Sequence, residues 1–298
     1  MTNTLVAFAN AYDVSFRTLS AGLSHNEVPL FRAMHKALVG LRCEFEVEEH
    51  HGSAHQVTFT GNGAYARTDA RCELSDLMIV CFSSITRTAR LTYLQAKSER
   101  ATLQSVCRRK FSANLEQWFL LKERPLIAGV GKFKPPNDLL SSALLPSVGS
   151  FAFFYKDPTG SFQIYYAAAN YMAPPKGRTY SQRYGKLQAN GPCLVDTSGT
   201  HAECLAACGN RIFAEKLFQL EIGTPIDPSV NQAASTRNWL SDNLRVTIKQ
   251  AQQAKIPSDL AEELLALLAT NRNENSSASG FFGAKQLIIV KSNPESND

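Results

Sequence analysis

Apolar positions recur along this chain with two distinct periods. Val28, Phe31, Met34, Leu38 and Leu41 fall at three- and four-residue intervals, which places one apolar stripe on a helix running to about Leu41. Pro29 is tolerated only in a first helical turn, so the cap is expected at Asn26 or Val28, although Ser24-x-x-Glu27 has capping-box spacing. Cys43, Phe45 and Val47 then alternate with Glu44, Glu46 and Glu48, the period of a half-buried strand, and a polar loop is expected from His50 to about Gly63. Leu74 to Phe82 is almost continuously apolar, interrupted only by Asp76, as expected of a central strand covered on both faces. Arg90 to Ala96 reads as its neighbour. After Lys97, Ser98 is placed to cap a helix with Leu103, Val106, Cys107 and Phe111 on one stripe. A second helix, with Leu115, Trp118, Phe119 and Lys122 on one side, is stopped by Pro125.

Phe151 to Tyr155 and Phe162 to Ala168 flank Asp157-Pro158-Thr159-Gly160, which predicts a hairpin. The last third reads as mostly helical. Thr200-His201-Ala202-Glu203 has the spacing of a capping box, Trp239, Leu244 and Ile248 mark another helix, and Asp259-Leu260-Ala261-Glu262 opens a leucine-rich third. Asn271 to Gly280 reads as a polar linker and Leu287 to Val290 as a last strand. No internal repeat is visible. The expected class is α/β, with a mixed central sheet flanked by helices over residues 1–170 and a mainly helical region over 171–298. The latter reads either as a recognition or partner-binding part, or as an elaboration of the core if the last strand joins the same sheet.

Composition alters little of this. The chain has 298 residues, 44% hydrophobic and 19% charged, with a formal net charge of +5. That length fits about two domains or one large one. No apolar run approaches the ~18 residues of a membrane span, and the start of the chain lacks a basic region before its apolar stretch, which Asn10 and Asp13 interrupt. A cytoplasmic protein without a membrane anchor is expected. The seven cysteines lack paired spacing and read as reduced core residues. Charge distribution is more informative. Arg87 to Lys134 holds eleven basic and three acidic residues, a net +8, which leaves the remainder of the chain at −3. Such a stretch is either a solvated face or a surface for a polyanion.

One ordered set of residues carries chemistry. Glu27 stands at a helix N-terminus, Asp76 interrupts an apolar strand, and about twenty residues later the neighbouring strand ends Gln95-Ala96-Lys97. Alternate strand residues share a face, so Tyr93, Gln95 and Lys97 project together. With Asp76 beside them, its carboxylate, the Gln95 amide oxygen and the Ala96 carbonyl offer hard oxygen ligands of the kind Mg²⁺ (or Mn²⁺) prefers. The motif order over roughly residues 25 to 125 resembles the PD-(D/E)xK nuclease superfamily, closest to the Gln-x-Lys branch of Mrr-type restriction nucleases. The resemblance implies a restriction-endonuclease-like fold and a metal-dependent endonuclease cutting DNA in restriction or phage defence. Asp76, Gln95 and Lys97 would lie at its centre, and Glu27 or Glu73 would supply a further acid. Gln95 replaces the commoner carboxylate, which points to one metal ion. Taken singly, each residue also suits a plainer role: Asp76 a strand-end partner of a lysine, Gln95 and Lys97 a polar edge, Glu27 a first-turn acid favoured by the helix dipole.

In that family the helices after Gln-x-Lys lie beside the site, which assigns Arg100, Arg108, Arg109 and Lys110 to flanking phosphates. The segment PPKGRTYSQRYGK adds Lys176, Arg178, Arg183 and Lys186, interleaved with Tyr180 and Tyr184, a combination that grips a backbone and stacks on bases. DNA is the expected partner and RNA the other polymer to test. A homo-oligomer and an activating partner protein of a defence system are both compatible with such an effector. The rival function is a nuclease-like module that binds nucleic acid or protein without turnover. Cys193, His201, Cys204 and Cys208 have the make-up of a Cys₃His zinc site, with Cys204 and Cys208 four residues apart on one helix face, but no Cys-x₂-Cys knuckle is present, and the flanking Leu205 and Ile212 favour core packing. Gly129-Val130-Gly131-Lys132 lacks the spacing of a phosphate-binding loop, and no Gly-x-Ser-x-Gly occurs.

Overall fold

The computed structural model describes residues 3–41, 55–106, 109–175, 183–191, 193–255, 258–269 and 284–292. In chain order the elements are α1 (Asn3–Ser20), α2 (Glu27–Val39), β1 (Gln56–Phe59), β2 (Ala70–Glu73), β3 (Ser75–Ser83), β4 (Thr88–Thr102), β5 (Lys110–Asn114), α3 (Leu115–Glu123) and β6 (Ala128–Gly129). They continue with β7 (Gly149–Lys156), β8 (Phe162–Ala168), β9 (Met172–Ala173), β10 (Tyr184–Ala189), β11 (Leu194–Asp196), β12 (Glu203–Cys208), α4 (Asn210–Phe218), β13 (Thr224–Pro225), α5 (Ala234–Ala254), α6 (Asp259–Leu268) and β14 (Ala284–Lys291).

The apolar run around Asp76 becomes β3, buried along nearly its whole length. It pairs antiparallel with β4 and parallel with β14, while β4 pairs parallel with β7. The order β11-β12-β8-β7-β4-β3-β14 defines a mixed sheet, with β13 added against β4. Strands covered on both faces need two apolar layers, and the core divides accordingly. Tyr12 and Phe16 of α1, Leu30 and Met34 of α2 and Phe213 of α4 pack on one face with Leu77, Ile79 and Leu94. Trp118 of α3, Leu240 and Leu244 of α5 and Leu264 of α6 lie with Met78, Val80 and Tyr93 on the other. The architecture is therefore α/β, a mixed central sheet flanked by helices. Both layers draw on residues before and after 170, and β11 to β14 join the sheet that holds β3 and β4.

Local chemistry accounts for several boundaries. Asn26 caps α2 by accepting the Val28 N–H at 3.2 Å, with Pro29 inside the first turn. Asn114 caps α3 directly out of β5, accepting the N–H groups of Glu116 and Gln117. Arg124 then ends α3 in the left-handed conformation just before Pro125, which disfavours right-handed helix in its predecessor. The predicted hairpin forms as β7 and β8, with Gly160 at φ +81 in its turn.

Other expectations are corrected. Instead of a helix carrying Leu103, Val106 and Phe111, β4 continues to Thr102 and Phe111 lies in β5, because Ser98 and Thr102 pair with Phe154 and Lys156 of β7. The Thr200–Glu203 box opens no helix. Glu203 is the first residue of β12, and its buried carboxylate accepts the Ser147 N–H at 2.7 Å. Cys204 and Cys208 accordingly sit on a strand rather than a helix face. The polar loop before Gly63 contains β1, whose Val57 and Phe59 point into the core. Helix α1, with Leu5, Ala9, Tyr12 and Phe16 buried at helical spacing, was not anticipated. The strand expected around Cys43 to Val47 and the linker from Asn271 to Gly280 lie outside the described residues. Among the described residues no helix is long and apolar enough to cross a membrane.

Candidate active site

The polar residues of interest gather where β3 begins and β4 leaves it. Leu77 pairs with Leu94, so the next position along β3 sets Asp76 against Gln95. There the side chain replaces the backbone ladder, and Asp76 Oδ2 accepts the Ala96 N–H at 2.9 Å. Gln95 is fully buried. Its Nε2 donates to the Leu74 carbonyl at 3.3 Å, which orients the amide, and its Oε1 has no hydrogen-bond partner among the described residues. A buried acceptor left without a donor costs roughly 1–3 kcal/mol, and a hard cation is one group that removes that cost.

Two residues further, Lys97 retains 14% side-chain exposure and points its ammonium toward α2, 3.6 Å from Glu27 Oε2. Glu27 occupies this place because Asn26 fixes the start of the helix one residue earlier. Glu73, the last residue of β2, pairs with Gln56 of β1. Glu27, Glu73 and Lys97 line one cleft of about 650 Å³ together with Asn114 and Gln117 of the β5–α3 junction and with Arg183, Tyr184 and Lys186. Asp76 and Gln95 do not line it. They lie at the strand edge next to Lys97, half-buried and buried respectively. Cys72 also faces the cleft, but burial pushes its thiol up to about 12, which removes it as a nucleophile at neutral pH.

The residues present fit a divalent cation only in a lean form. Among the described residues no group of three or more His, Cys, Asp or Glu side chains could hold a metal, and this includes Cys193, His201, Cys204 and Cys208. The donors at the β3–β4 edge are one carboxylate, one unpaired amide oxygen and the Ala96 backbone carbonyl. Mg²⁺ tolerates such a set, because it keeps several waters and takes one or two carboxylates.

The basic residues separate into three groups. Arg183 and Lys186 flank the cleft. Arg100 at the end of β4, Arg109 and Lys110 are exposed on strand and connecting segments, not on the helix expected for them, and Arg109 pairs with Glu99 at 3.9 Å. Arg108, Lys176 and Arg178 lie outside the described residues.

A feature absent from the sequence reading anchors Arg183. Glu116 in the first turn of α3 is 1% exposed, receives Arg67 Nε at 2.7 Å and Nη2 at 3.2 Å, and lies 3.6 Å from Arg183 Nε. Arg67 precedes β2 and Arg183 precedes β10, so one buried carboxylate ties two distant segments to the rim. In sequence Glu116 shows only as a first-turn acid, and no spacing signal links it to either arginine. Tyr184 stands 66% exposed beside Arg183, whose guanidinium carbon is 5.8 Å from the ring centroid. Lys186 Nζ donates to Ser112 Oγ at 2.6 Å, which holds it against β5.

Compared with known proteins, the chain matches no protein-family model, no curated protein and no solved structure.

Proposed function

We propose that this protein is a metal-dependent endonuclease that hydrolyses DNA phosphodiester bonds at the β3–β4 edge and in the adjoining cleft. The observation that carries the reading is that Asp76 accepts the Ala96 N–H beside buried Gln95, two residues from Lys97, whose ammonium pairs with Glu27 in the adjoining cleft. A bound Mg²⁺ or Mn²⁺ would be held by Asp76, the Gln95 amide oxygen and the Ala96 carbonyl, and would supply Lewis-acid polarisation of a phosphoryl oxygen.

The chain's own residues do the rest. The Lys97 ammonium offsets charge developing on the phosphate, and Glu27 beside it accepts a proton from a water held at that ammonium. Arg183 and Lys186, both tethered, neutralise flanking phosphates, and the exposed Tyr184 ring offers a base a stacking face. A polyanion lying along the cleft thus meets three of its lining cations, Lys97, Arg183 and Lys186. The restriction or phage-defence setting follows from the family resemblance and is proposed with it.

The test is incubation of the purified protein with plasmid, linear and single-stranded DNA, and with RNA, in Mg²⁺ and in Mn²⁺. The reading expects metal-dependent cleavage of DNA that Lys97→Ala and Asp76→Asn abolish. Intact substrates throughout, or variants as active as the parent, defeat it. Cleavage of RNA alone transfers the site to a ribonuclease.

One observation favours a second reading, a binding module without turnover. The Asp76 carboxylate accepts the Ala96 N–H, and among the described residues no group of three or more His, Cys, Asp or Glu side chains could hold a metal. That reading expects steeply salt-dependent DNA binding unaffected by Asp76→Asn, with no product formed.

A further inference from the structure

The outer edge of the central sheet holds two thiols in an unusual contact. Strand β11 pairs with β12 through a register shift between Leu194 and Val195. Just before it, Cys193 Sγ accepts the backbone N–H of Cys208 at 2.9 Å, so a thiol takes a donor of the neighbouring strand. With an N–Cα bond of about 1.5 Å, that sulfur lies within roughly 4.4 Å of the Cys208 Cα, close to where a disulfide partner's sulfur sits.

The two residues differ from the other described cysteines in access. Cys193 is exposed and Cys208 half-buried, whereas Cys72, Cys81 and Cys204 are buried. Hydrogen bonding by the Cys208 thiol, helped by the backbone N–H, holds Cys193 down at about 6 despite partial desolvation, while burial pushes Cys204 up to about 12. At neutral pH the exposed thiol is therefore largely thiolate, the nucleophilic form, with a second thiol next to it.

We propose that Cys193 and Cys208 form a hydroperoxide-reactive dithiol site that closes into a disulfide. The Cys193 thiolate attacks one oxygen of the hydroperoxide, the O–O bond breaks, and hydroxide or alkoxide leaves with the electron pair and takes up a proton. The Cys193 sulfur is thereby oxidised to a sulfenic acid. The Cys208 thiol, losing its proton, attacks that sulfur, and hydroxide leaves as water. The sum is two thiols and one hydrogen peroxide giving one disulfide and two waters. The product links β12 to the segment entering β11 and staples the sheet's outer strand. The site stands apart from the cleft and does not depend on the proposed nuclease activity.

The experiment treats the reduced, full-length protein with substoichiometric hydrogen peroxide at neutral pH and reads intact mass and non-reducing peptide maps. The expected first product is two hydrogens lighter, carries a Cys193–Cys208 linked peptide and reverts with dithiothreitol. In Cys208→Ser, Cys193 is expected to accumulate as a sulfenic acid trapped by dimedone, and in Cys193→Ser neither product forms at residue 208. Because the parent's peptide map alone is decisive, a variant that fails to fold does not shield the proposal. First oxidation at any other cysteine, or Cys193 passing to the sulfinic acid in the parent without the linked peptide, overturns it.

Discussion

Lys97 Nζ stands 3.6 Å from Glu27 Oε2, joining the strand that carries Gln95 to the first turn of α2. The pair is too exposed to hold the fold together, since Glu27 keeps 48% of its side-chain surface and half-exposed ion pairs contribute about 0–1 kcal/mol. Stability and activity should therefore separate. Lys97→Met is expected to reduce cleavage roughly 10²–10⁴-fold, while circular dichroism melts place it within about 1 kcal/mol of the parent. A large loss of stability with retained activity would show that the pair is structural.

Gln95 is buried, its Oε1 finds no partner among the described residues, and Asp76 stands opposite it. Gln95→Glu adds a negative charge at that point. Without metal it should cost about 3 kcal/mol, because a buried carboxylate with no cation is left uncompensated. With Mg²⁺ or Mn²⁺ the loss should be recovered and calorimetric affinity should rise at least tenfold. Melting curves in chelator and in metal separate the two effects, and a variant that metal does not rescue argues against a cation at this edge.

Arg183 reaches the cleft tethered to buried Glu116. Arg183→Gln should weaken DNA binding uniformly across sequences and lower the slope of log affinity against log salt by about one. Glu116→Gln frees the guanidinium and should weaken binding several-fold without changing that slope. Fluorescence anisotropy over a salt series distinguishes them.

Asn114 caps α3 from the last position of β5, accepting the Glu116 N–H at 2.9 Å. Asn114→Ala should cost about 1 kcal/mol in chemical unfolding, and Asn114→Asp should restore most of it.

Asp157 holds the β7–β8 turn, and its carboxyl lies below the ordinary 3.8. Desolvation pushes it up, but hydrogen bonds from Thr159, Gln163 and Ser161 outweigh that. A carboxyl depressed in the folded state stabilises fully above its unfolded value and ceases to do so as pH falls through its folded value. The stability advantage of the parent over Asp157→Asn should therefore be present at neutral pH and shrink below pH 3.8. Paired melts across that range check the sign.

The chain's local pattern was sufficient wherever a neighbour in sequence supplies the constraint. Asn26 and Pro29 start α2, Pro125 ends α3, Asp157 to Gly160 turn the hairpin, and the continuous apolar run announces β3. The spacing that puts Gln95 and Lys97 on one side of a strand was also legible. For α1 the information is present too, since Leu5, Ala9, Tyr12 and Phe16 have helical spacing.

Elsewhere the deciding partner is far away in sequence. Ser98 looks like a helix cap, yet β7, beginning some fifty residues later, takes the end of β4 as a strand. The Thr200–Glu203 spacing promises a capping box, but Glu203 finds the Ser147 N–H and the segment pairs with β8. The meeting of Arg67 and Arg183 on Glu116, and of Cys193 with Cys208, likewise arises only when separate strands are laid side by side. Periodicity along the chain sets which face of an element is apolar. Hydrogen-bonding and charged groups are satisfied by whatever the folded sheet brings within about 3 Å, and sequence distance carries little information about that.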